Sequence, residues 1–118
     1  MGDLLRIPFK YLLREKKRYI VVEFYNPFKR ITLEPNKVKY EIWNHLKNLL
    51  GERGLALANF KIIEVNGNVV IIKTNTKMVD FIRSSIPLMS KIHNQDVIPI
   101  VRGVSGTIKK AKKKFLEG

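Results

Sequence analysis

The spacing of apolar and polar residues predicts four strands in this chain. Four short runs are rich in β-branched and aromatic residues, as is typical of strands: residues 18–25, 60–65, 69–74 and 97–102. In the first run, alternate side chains share a face: Ile20, Val22 and Phe24 on one side, and Tyr19, Val21, Glu23 and Tyr25 on the other. Asn66 and Gly67 separate the second and third runs, which predicts a tight hairpin. Pro99 has no N–H to donate, so we expect the fourth strand at a sheet edge.

Apolar residues at helical spacing predict two helices, over residues 35–50 and 76–92. The apolar face of the first helix consists of Val38, Ile42, Leu46 and Leu49, widened by Trp43 and Leu50. We expect Gly51 and Gly54 to end this helix. The apolar face of the second consists of Val79, Ile82, Ile86 and Met89, with Asn75 or Thr76 as its cap. Pro87 lies inside the second helix and predicts a kink or a break there.

A short third helix is expected over residues 107–116, after a bend at residues 103–106. Its apolar side consists of Ile108, Ala111 and Phe115, and lysines occupy the rest. The resulting order, β-α-β-β-α-β, is that of the ferredoxin-like or RRM-like α+β sandwich with a four-stranded sheet. We therefore expect a short basic N-terminal extension over residues 1–17. One RRM-like domain over residues 18–118 then includes the basic C-terminal helix.

The distribution of charge indicates a polyanionic partner. The 118 residues suffice for one ordinary domain, and they include 23 Lys and Arg against 10 Asp and Glu, a net charge of +13. Residues 1–18 carry a net +4 and residues 102–118 a net +5, so most of the excess lies in two short basic ends. Such clustering favours binding of nucleic acid or an anionic membrane surface over solubility alone.

Several classes of site and location are disfavoured by the composition. The chain has no cysteine, which excludes disulfides, thiolate metal sites and thiol catalysis. No apolar run approaches the roughly 20 residues of a membrane span, and residues 1–10 do not resemble a signal peptide. A membrane-surface helix would need large apolar residues, and the third helix has only Phe115 and Leu116. We expect a soluble cytoplasmic protein with no membrane partner.

No catalytic motif is apparent in the chain. His45 and His93 lie in different elements without carboxylates at metal-ligand spacing, so a structural role or simple exposure is favoured for each. Walker, G-x-S-x-G and G-x-G-x-x-G motifs are absent. Acylphosphatases share this size and fold class, but they need an arginine in a glycine-rich loop after the first strand, and residues 26–30 contain no glycine. We therefore expect no catalytic side chain and no bound cofactor in this chain.

One face of the predicted sheet is aliphatic where RNA-binding RRM domains place aromatic residues. The third strand, residues 69–74, contains no aromatic residue on which a base would stack. An exposed aliphatic face needs a cover, either the chain's own terminal helix or a partner subunit, and the sequence favours neither. If a partner covers it, the contact face consists of Tyr19, Val21, Tyr25, Val69 and Ile71.

The lysines near the C-terminus are the strongest functional signal. Five of them fall within residues 109–114, where like charges at helical spacing destabilise a helix by roughly 0.2–0.5 kcal/mol per pair. Lysines contact phosphates and contribute little to reading base sequence. The candidate RNA-binding residues at the two basic ends are Arg14, Lys16, Lys17, Arg18, Arg102, Ser105, Gly106, Thr107, Lys109, Lys110, Lys112, Lys113 and Lys114.

The same stretch resembles a known protein family. Residues 103–116 (GVSGTIKKAKKKFL) are similar to the C-terminal signature of archaeal ribonuclease P protein component 2, the small RRM-like subunit of RNase P. Residues 14–20 (REKKRYI) resemble the segment that leads into its first strand, and residues 51–59 (GERGLALAN) resemble its helix-to-strand junction. The similarity therefore spans nearly the whole chain.

The resemblance implies a non-catalytic, RNA-binding subunit of the ribonucleoprotein that removes 5′ leaders from precursor tRNA. It implies that the RNA holds the Mg²⁺-dependent catalytic centre and that the chain contacts precursor tRNA only indirectly. It also implies two partners, the RNase P RNA and ribonuclease P protein component 3. The alternative is a ferredoxin-like protein–protein adaptor whose lysines serve solubility only.

Overall fold

The computed structural model describes residues 16–115 and, at Phe115, the backbone only. Ten elements of secondary structure follow one another in this range. In chain order they are β1 Lys17–Tyr25, α1 Pro35–Ala58, β2 Lys61–Asn66, β3 Val69–Asn75, α2 Val79–Ser85, a 3₁₀ turn Ile86–Leu88, β4 Lys91–Ile92, β5 Gln95–Asp96, β6 Ile98–Ser105 and α3 Ile108–Phe115. Four strands form an antiparallel sheet in the order β2-β3-β1-β6. This order confirms the predicted ferredoxin-like fold.

The two faces of the sheet bury different residues, as the alternation in β1 predicts. Ile20, Val22 and Phe24 are fully buried against the helical layer of α1 and α2. Tyr19 and Val21 are buried on the opposite face. Pro99 pairs with Phe24 in β6, which has β1 as its single neighbour among the described strands, so the predicted edge position is confirmed.

Helix α1 has a break at Gly51, beyond which the chain unexpectedly becomes helical again. Glu34 caps its start, because the Glu34 carboxylate accepts hydrogen bonds from the backbone N–H groups of Asn36 and Lys37. Gly51 has φ 73° and ψ 174°, so the predicted stop occurs there, yet helical residues continue to Ala58. Gly54 does not end the helix. A Cβ at Gly54 would lie 2.8 Å from the Cβ of Leu50, so the close packing across the kink requires glycine.

The buried face of α1 is narrower than its sequence predicts. Val38, Ile42 and Leu46 are fully buried, as expected. Leu49 and Trp43 are 45% and 41% exposed, so their assignment to the buried face is wrong. The kink after Leu50 turns the chain, and Leu55 and Ala58 from the second segment supply the missing core contacts.

Replacing Gly51 with alanine is expected to lower the free energy of unfolding by about 1–3 kcal/mol, because its backbone conformation is one that essentially only glycine adopts. Urea-induced unfolding followed by circular dichroism measures this change. Gly106→Ala is the matched control, because an added Cβ there would meet its nearest atom, Arg18 Nη1, at an ordinary 3.8 Å. An unfolding midpoint for Gly51→Ala equal to that of Gly106→Ala would contradict the assigned strain.

The second predicted helix is only partly helical. Ile82, Ile86 and Met89 are buried as expected, and the helix ends at the 3₁₀ turn that contains Pro87. The prediction of helix up to residue 92 is wrong, because β4 and β5 form a small hairpin there. His93 and Asn94 occupy its turn with φ 52° and 67°. Positive φ at both central positions is the conformation that two-residue hairpins favour.

The C-terminal strand is longer than predicted. Residues 103–105 continue β6 in place of the expected bend, and a register shift opposite Val21 and Val22 accommodates the extra residue.

The hairpin between β2 and β3 turns at Gly67 and Asn68, one residue later than predicted, with Gly67 at φ 63°. The predicted Asn75 cap is confirmed in part, because Asn75 Oδ1 accepts a hydrogen bond from Met78 N in the turn before α2.

Candidate nucleic-acid interface

Helix α3 lies on the face of the sheet opposite to α1 and α2. Ala111 is fully buried against Tyr19, Val21 and Ile71, and Ile108 packs beside it. The chain's own terminal helix therefore covers the aliphatic face, which resolves the two alternatives that the sequence left open. The prediction of a partner-contact face is wrong for Tyr19, Val21 and Ile71, since these side chains are buried beneath α3. Val69 is half-buried and Tyr25 is exposed.

The first turn of α3 is fixed by two hydroxyl groups. Thr107 Oγ1 accepts a hydrogen bond from Lys110 N, which caps the helix. Ser105 Oγ lies 3.1 Å from Thr107 O and 3.4 Å from Thr107 N, and it bonds to the same backbone. These hydroxyls hold the turn that joins β6 to α3, so the structure gives both residues a positioning role.

Four of the five lysines of α3 lie on its exposed side, because Ala111 faces the sheet. Lys109, Lys110, Lys113 and Lys114 are exposed, and we call these four residues the lysine ridge. Lys109, Lys110 and Lys113 form no ion pair with any residue that the structure describes. Lys110, Lys113 and Lys114 also line a groove of about 660 Å³ over the backbone of Ser105 and Gly106. The ridge is thus a cationic surface on an ordered support.

Lys112 has a different environment from the ridge. Its Nζ lies 3.4 Å from Oε2 of Glu64, and both side chains are half-buried. That oxygen is buried and accepts no hydrogen bond from the described residues, so the contact is an ion pair without hydrogen-bond geometry. The pair attaches α3 to β2. Lys112 therefore helps to dock the helix. Because Glu64 balances its charge, Lys112 attracts an anionic ligand less strongly than a lysine of the ridge does.

The fold brings the two basic ends of the sequence together. Tyr19 in β1 pairs with Ser105 in β6, so Lys16, Lys17 and Arg18 lie beside the start of α3. Arg18 Nη1 donates a hydrogen bond to Lys17 O and passes near Gly106. Lys16 and Lys17 are exposed. Arg14 lies outside the described residues.

Arg102 is neutralised by a neighbouring strand. Its Nε lies 2.6 Å from Oε2 of Glu23, and its Nη2 contacts the same oxygen. Glu23 belongs to β1 and Arg102 to β6, so this pair links two adjacent strands. Of the predicted RNA-binding residues, Arg102 therefore adds little to the local positive charge.

Sequence reasoning missed a second exposed basic feature, the loop between β1 and α1. At its tip, Phe28 is 94% exposed and is followed by exposed Lys29 and Arg30. Both sides of the loop are anchored, because Ile31 and Leu33 are buried and Asn26 Nδ2 donates a hydrogen bond to Asp96 O. The available signal was an aromatic residue followed directly by two cations in a segment that fits no element.

The two histidines have structural contacts. His45 Nε2 lies 2.8 Å from Ser85 O and links α1 to α2, while His93 Nδ1 lies 3.9 Å from Oε1 of Glu41. Within residues 16–115 there is no group of three or more His, Asp or Glu residues arranged to hold a metal ion. None of the helices in that range combines the length and the hydropathy that crossing a membrane requires.

Comparison with known proteins identifies relatives along nearly the whole chain. The model of the Rpp14/Pop5 family matches residues 18–116. Ribonuclease P protein component 2 of Pyrococcus furiosus is 37% identical over 108 residues, covering 88% of this chain and 86% of that protein. The Thermococcus gammatolerans protein of the same name is 35% identical over 114 residues, covering 91% of each.

A solved structure shares the fold. A chain in the cryo-EM structure of yeast ribonuclease MRP matches with a TM-score of 0.64 and 14% sequence identity. The match covers 85% of this chain and 91% of the yeast chain. The match confirms the α+β architecture independently of the sequence relatives.

Proposed function

The chain belongs to the Rpp14/Pop5 family, and from this premise we propose that it is a protein subunit of ribonuclease P that binds the RNase P RNA. The observation that carries the proposal is the lysine ridge, whose residues Lys109, Lys110 and Lys113 have no carboxylate partner among the described residues. The ridge stands on a helix docked through Ala111. We also propose a cytoplasmic location.

The physical mechanism is neutralisation of phosphates by a preordered cationic surface. A folded RNA packs phosphates against their mutual repulsion, and each lysine contact releases condensed counterions. Because α3 is already docked, binding does not include the cost of ordering its backbone, about 1–2 kcal/mol per residue. Lysines at fixed positions therefore stabilise the folded RNA and lessen its need for free Mg²⁺.

In this proposal the chain supplies no catalytic side chain. Mg²⁺ held by the RNA provides the chemistry of precursor-tRNA cleavage, and the chain contacts precursor tRNA only through the complex. We propose ribonuclease P protein component 3 as the protein partner. The two proteins together support the catalytic domain of the RNA.

Reconstitution tests the proposed function directly. RNase P RNA and component 3 are assayed for precursor-tRNA cleavage over a Mg²⁺ series, with and without this chain. We expect the chain to shift the Mg²⁺ midpoint of activity to lower concentration, because it replaces part of the cation demand of the RNA. Identical Mg²⁺ profiles with and without the chain would contradict the proposal.

An adaptor role is the second candidate, and one observation favours it. On the helical layer, Tyr40 and Trp43 are 63% and 41% exposed and, together with Phe60, line a groove of about 400 Å³. Exposed aromatic residues are enriched in protein interfaces. Gel filtration with component 3 at low and high salt, with and without nuclease, distinguishes the roles. A complex that is insensitive to salt and nuclease, combined with no RNA binding, supports the adaptor.

A further inference from the structure

The tip of the loop between β1 and α1 holds the most exposed large apolar side chain among the described residues. Phe28 is 94% exposed, although the loop that carries it is well anchored. A fully exposed phenyl ring gains nothing from the hydrophobic effect in the folded chain. The ring is therefore available for a contact outside the chain.

Four contacts show that the loop has a defined shape. Asn26 Nδ2 donates a hydrogen bond to Asp96 O at 3.0 Å, and Asn26 Oδ1 accepts one from Phe28 N at 2.8 Å. Further along, Leu33 N donates to Gly67 O at 2.8 Å, and Ile31 is buried in the core. The loop therefore presents Phe28 on a fixed base.

The surroundings of Phe28 are cationic and open. Lys29 and Arg30 follow it, both are exposed, and neither forms an ion pair with a residue in the described range. Phe28 and Tyr25 both line an open cavity of about 720 Å³, which is large enough for a nucleotide. Glu23 also lines this cavity, and its negative charge is paired with Arg102.

We propose that this loop tip binds an unpaired nucleotide of RNA, with the base stacked on Phe28 and the adjacent phosphates contacting Lys29 and Arg30. Aromatic side chains bind unpaired bases of any sequence through their π-faces, and neighbouring cations follow the backbone. The sheet face on which RRM domains stack bases is closed here by α3. The loop tip provides an aromatic surface outside that face.

The site is separate from the lysine ridge. The loop follows Tyr25 at the end of β1, whereas Tyr19, near the start of β1, pairs with Ser105 beside α3. Tyr25 lies six residue steps along the extended strand from Tyr19, which is about 20 Å. The ridge carries charge without aromatic residues and suits paired or unpaired RNA alike, whereas Phe28 requires an unpaired base.

The inference extends the proposed RNA-binding function, but its test does not require the RNase P RNA. The full chain is titrated into two fluorescein-labelled probes, a 12-nucleotide oligouridine and a 12-base-pair RNA duplex, and anisotropy is recorded from 50 to 200 mM KCl. We expect Phe28→Ala to weaken oligouridine binding at least fivefold. Binding to the duplex is expected to stay unchanged, because its bases are already stacked.

Three further variants identify stacking as the cause. Phe28→Trp keeps an aromatic face and is expected to stay within twofold of the original affinity, whereas Phe28→Leu is expected to behave as Phe28→Ala. Phe81→Ala removes an exposed phenylalanine from α2 and serves as the matched control, with no expected change. Replacing Lys29 and Arg30 with alanine is expected to reduce the salt slope by roughly 0.7 per lost phosphate contact.

Two results would overturn the inference. The first is equal oligouridine affinity for Phe28→Ala and the original chain. The second is an equal loss of affinity for oligouridine and for the duplex in Phe28→Ala, which would show that Phe28 does not distinguish unpaired bases. Replacing Lys109, Lys110 and Lys113 with alanine tests the proposed function separately, because those changes are expected to weaken binding of both probes.

Discussion

Replacing Ala111 with aspartate is expected to release α3 from the sheet and to remove most of the affinity for RNase P RNA. Ala111 is fully buried against Tyr19, Val21 and Ile71, and none of these three neighbours is a cation that could pair with a carboxylate placed there. An unpaired buried charge costs several kcal/mol. Since undocking relieves this cost, the helix detaches and the lysines lose their fixed positions.

Two measurements follow the release of α3. Amide hydrogen exchange is expected to show loss of protection in residues 108–115, while the sheet core around Ile20 and Ile72 stays protected. RNA affinity near 0.15 M salt is expected to fall at least tenfold, since binding must then order the helix. Lys109→Ala is the control, because it changes the net charge by the same amount as Ala111→Asp but at an exposed site. We expect it to leave the exchange protection of α3 intact. Unchanged protection and affinity in Ala111→Asp would contradict the role of docking.

Replacing Lys109, Lys110 and Lys113 together with alanine is expected to weaken binding of RNase P RNA roughly 100-fold near 0.15 M salt. The three side chains are exposed and form no ion pair within the described part of the chain, so each is available to neutralise one phosphate. Each neutralised phosphate adds roughly 0.7–0.9 to the slope of log affinity against log salt. The slope should therefore decrease by roughly 2 to 3.

The matched control removes the same charge from the other side of the molecule. Lys37, Lys39 and Lys91 are exposed on α1 and β4, and replacing all three with alanine also lowers the net charge by three. We expect this control to change the salt slope by less than one. Equal loss of affinity in the two triple variants would show that RNA responds to net charge alone and would remove the ridge from the proposed interface.

The strand pattern was predictable because each strand faces two different environments. The structure has the predicted alternation, with Ile20, Val22 and Phe24 on one face of β1 and Tyr19 and Val21 on the other. Each face packs against its own buried cluster. Pro99 indicated an edge through its missing N–H. These features depend on local chemistry, which a sequence displays directly.

Tertiary contacts decided the elements that the sequence did not predict. The chain resumes a helix after Gly51 because Leu55 and Ala58 reach the core, and Thr74 Oγ1 donates a hydrogen bond to Ala58 O at 2.7 Å. The β4–β5 hairpin depends on contacts of Ile92 and Val97 with the core. A local sequence pattern does not show which distant residues a segment will contact.

The sequence predicted which residues belong to the candidate site, but it did not predict which of them are paired with carboxylates. The lysine run and its apolar stripe were visible in the sequence, including Ile108 and Ala111. The pairing of Lys112 with Glu64 and of Arg102 with Glu23 was not, because each pair joins residues far apart in the chain. Phe28 was missed since exposure of a loop residue depends on how its neighbours are anchored.

The irregular outer strands set how this protein can assemble. Among the described strands β2 and β6 each have one neighbour, β2 has a register shift near Glu64, and β6 has another along with Pro99. Bulges and proline interrupt the row of backbone groups that another chain would need in order to extend a sheet. Continuous intermolecular sheets, and the fibrils that grow from them, are thereby disfavoured. Contacts with other molecules are then expected to form through side chains and not by extension of the sheet.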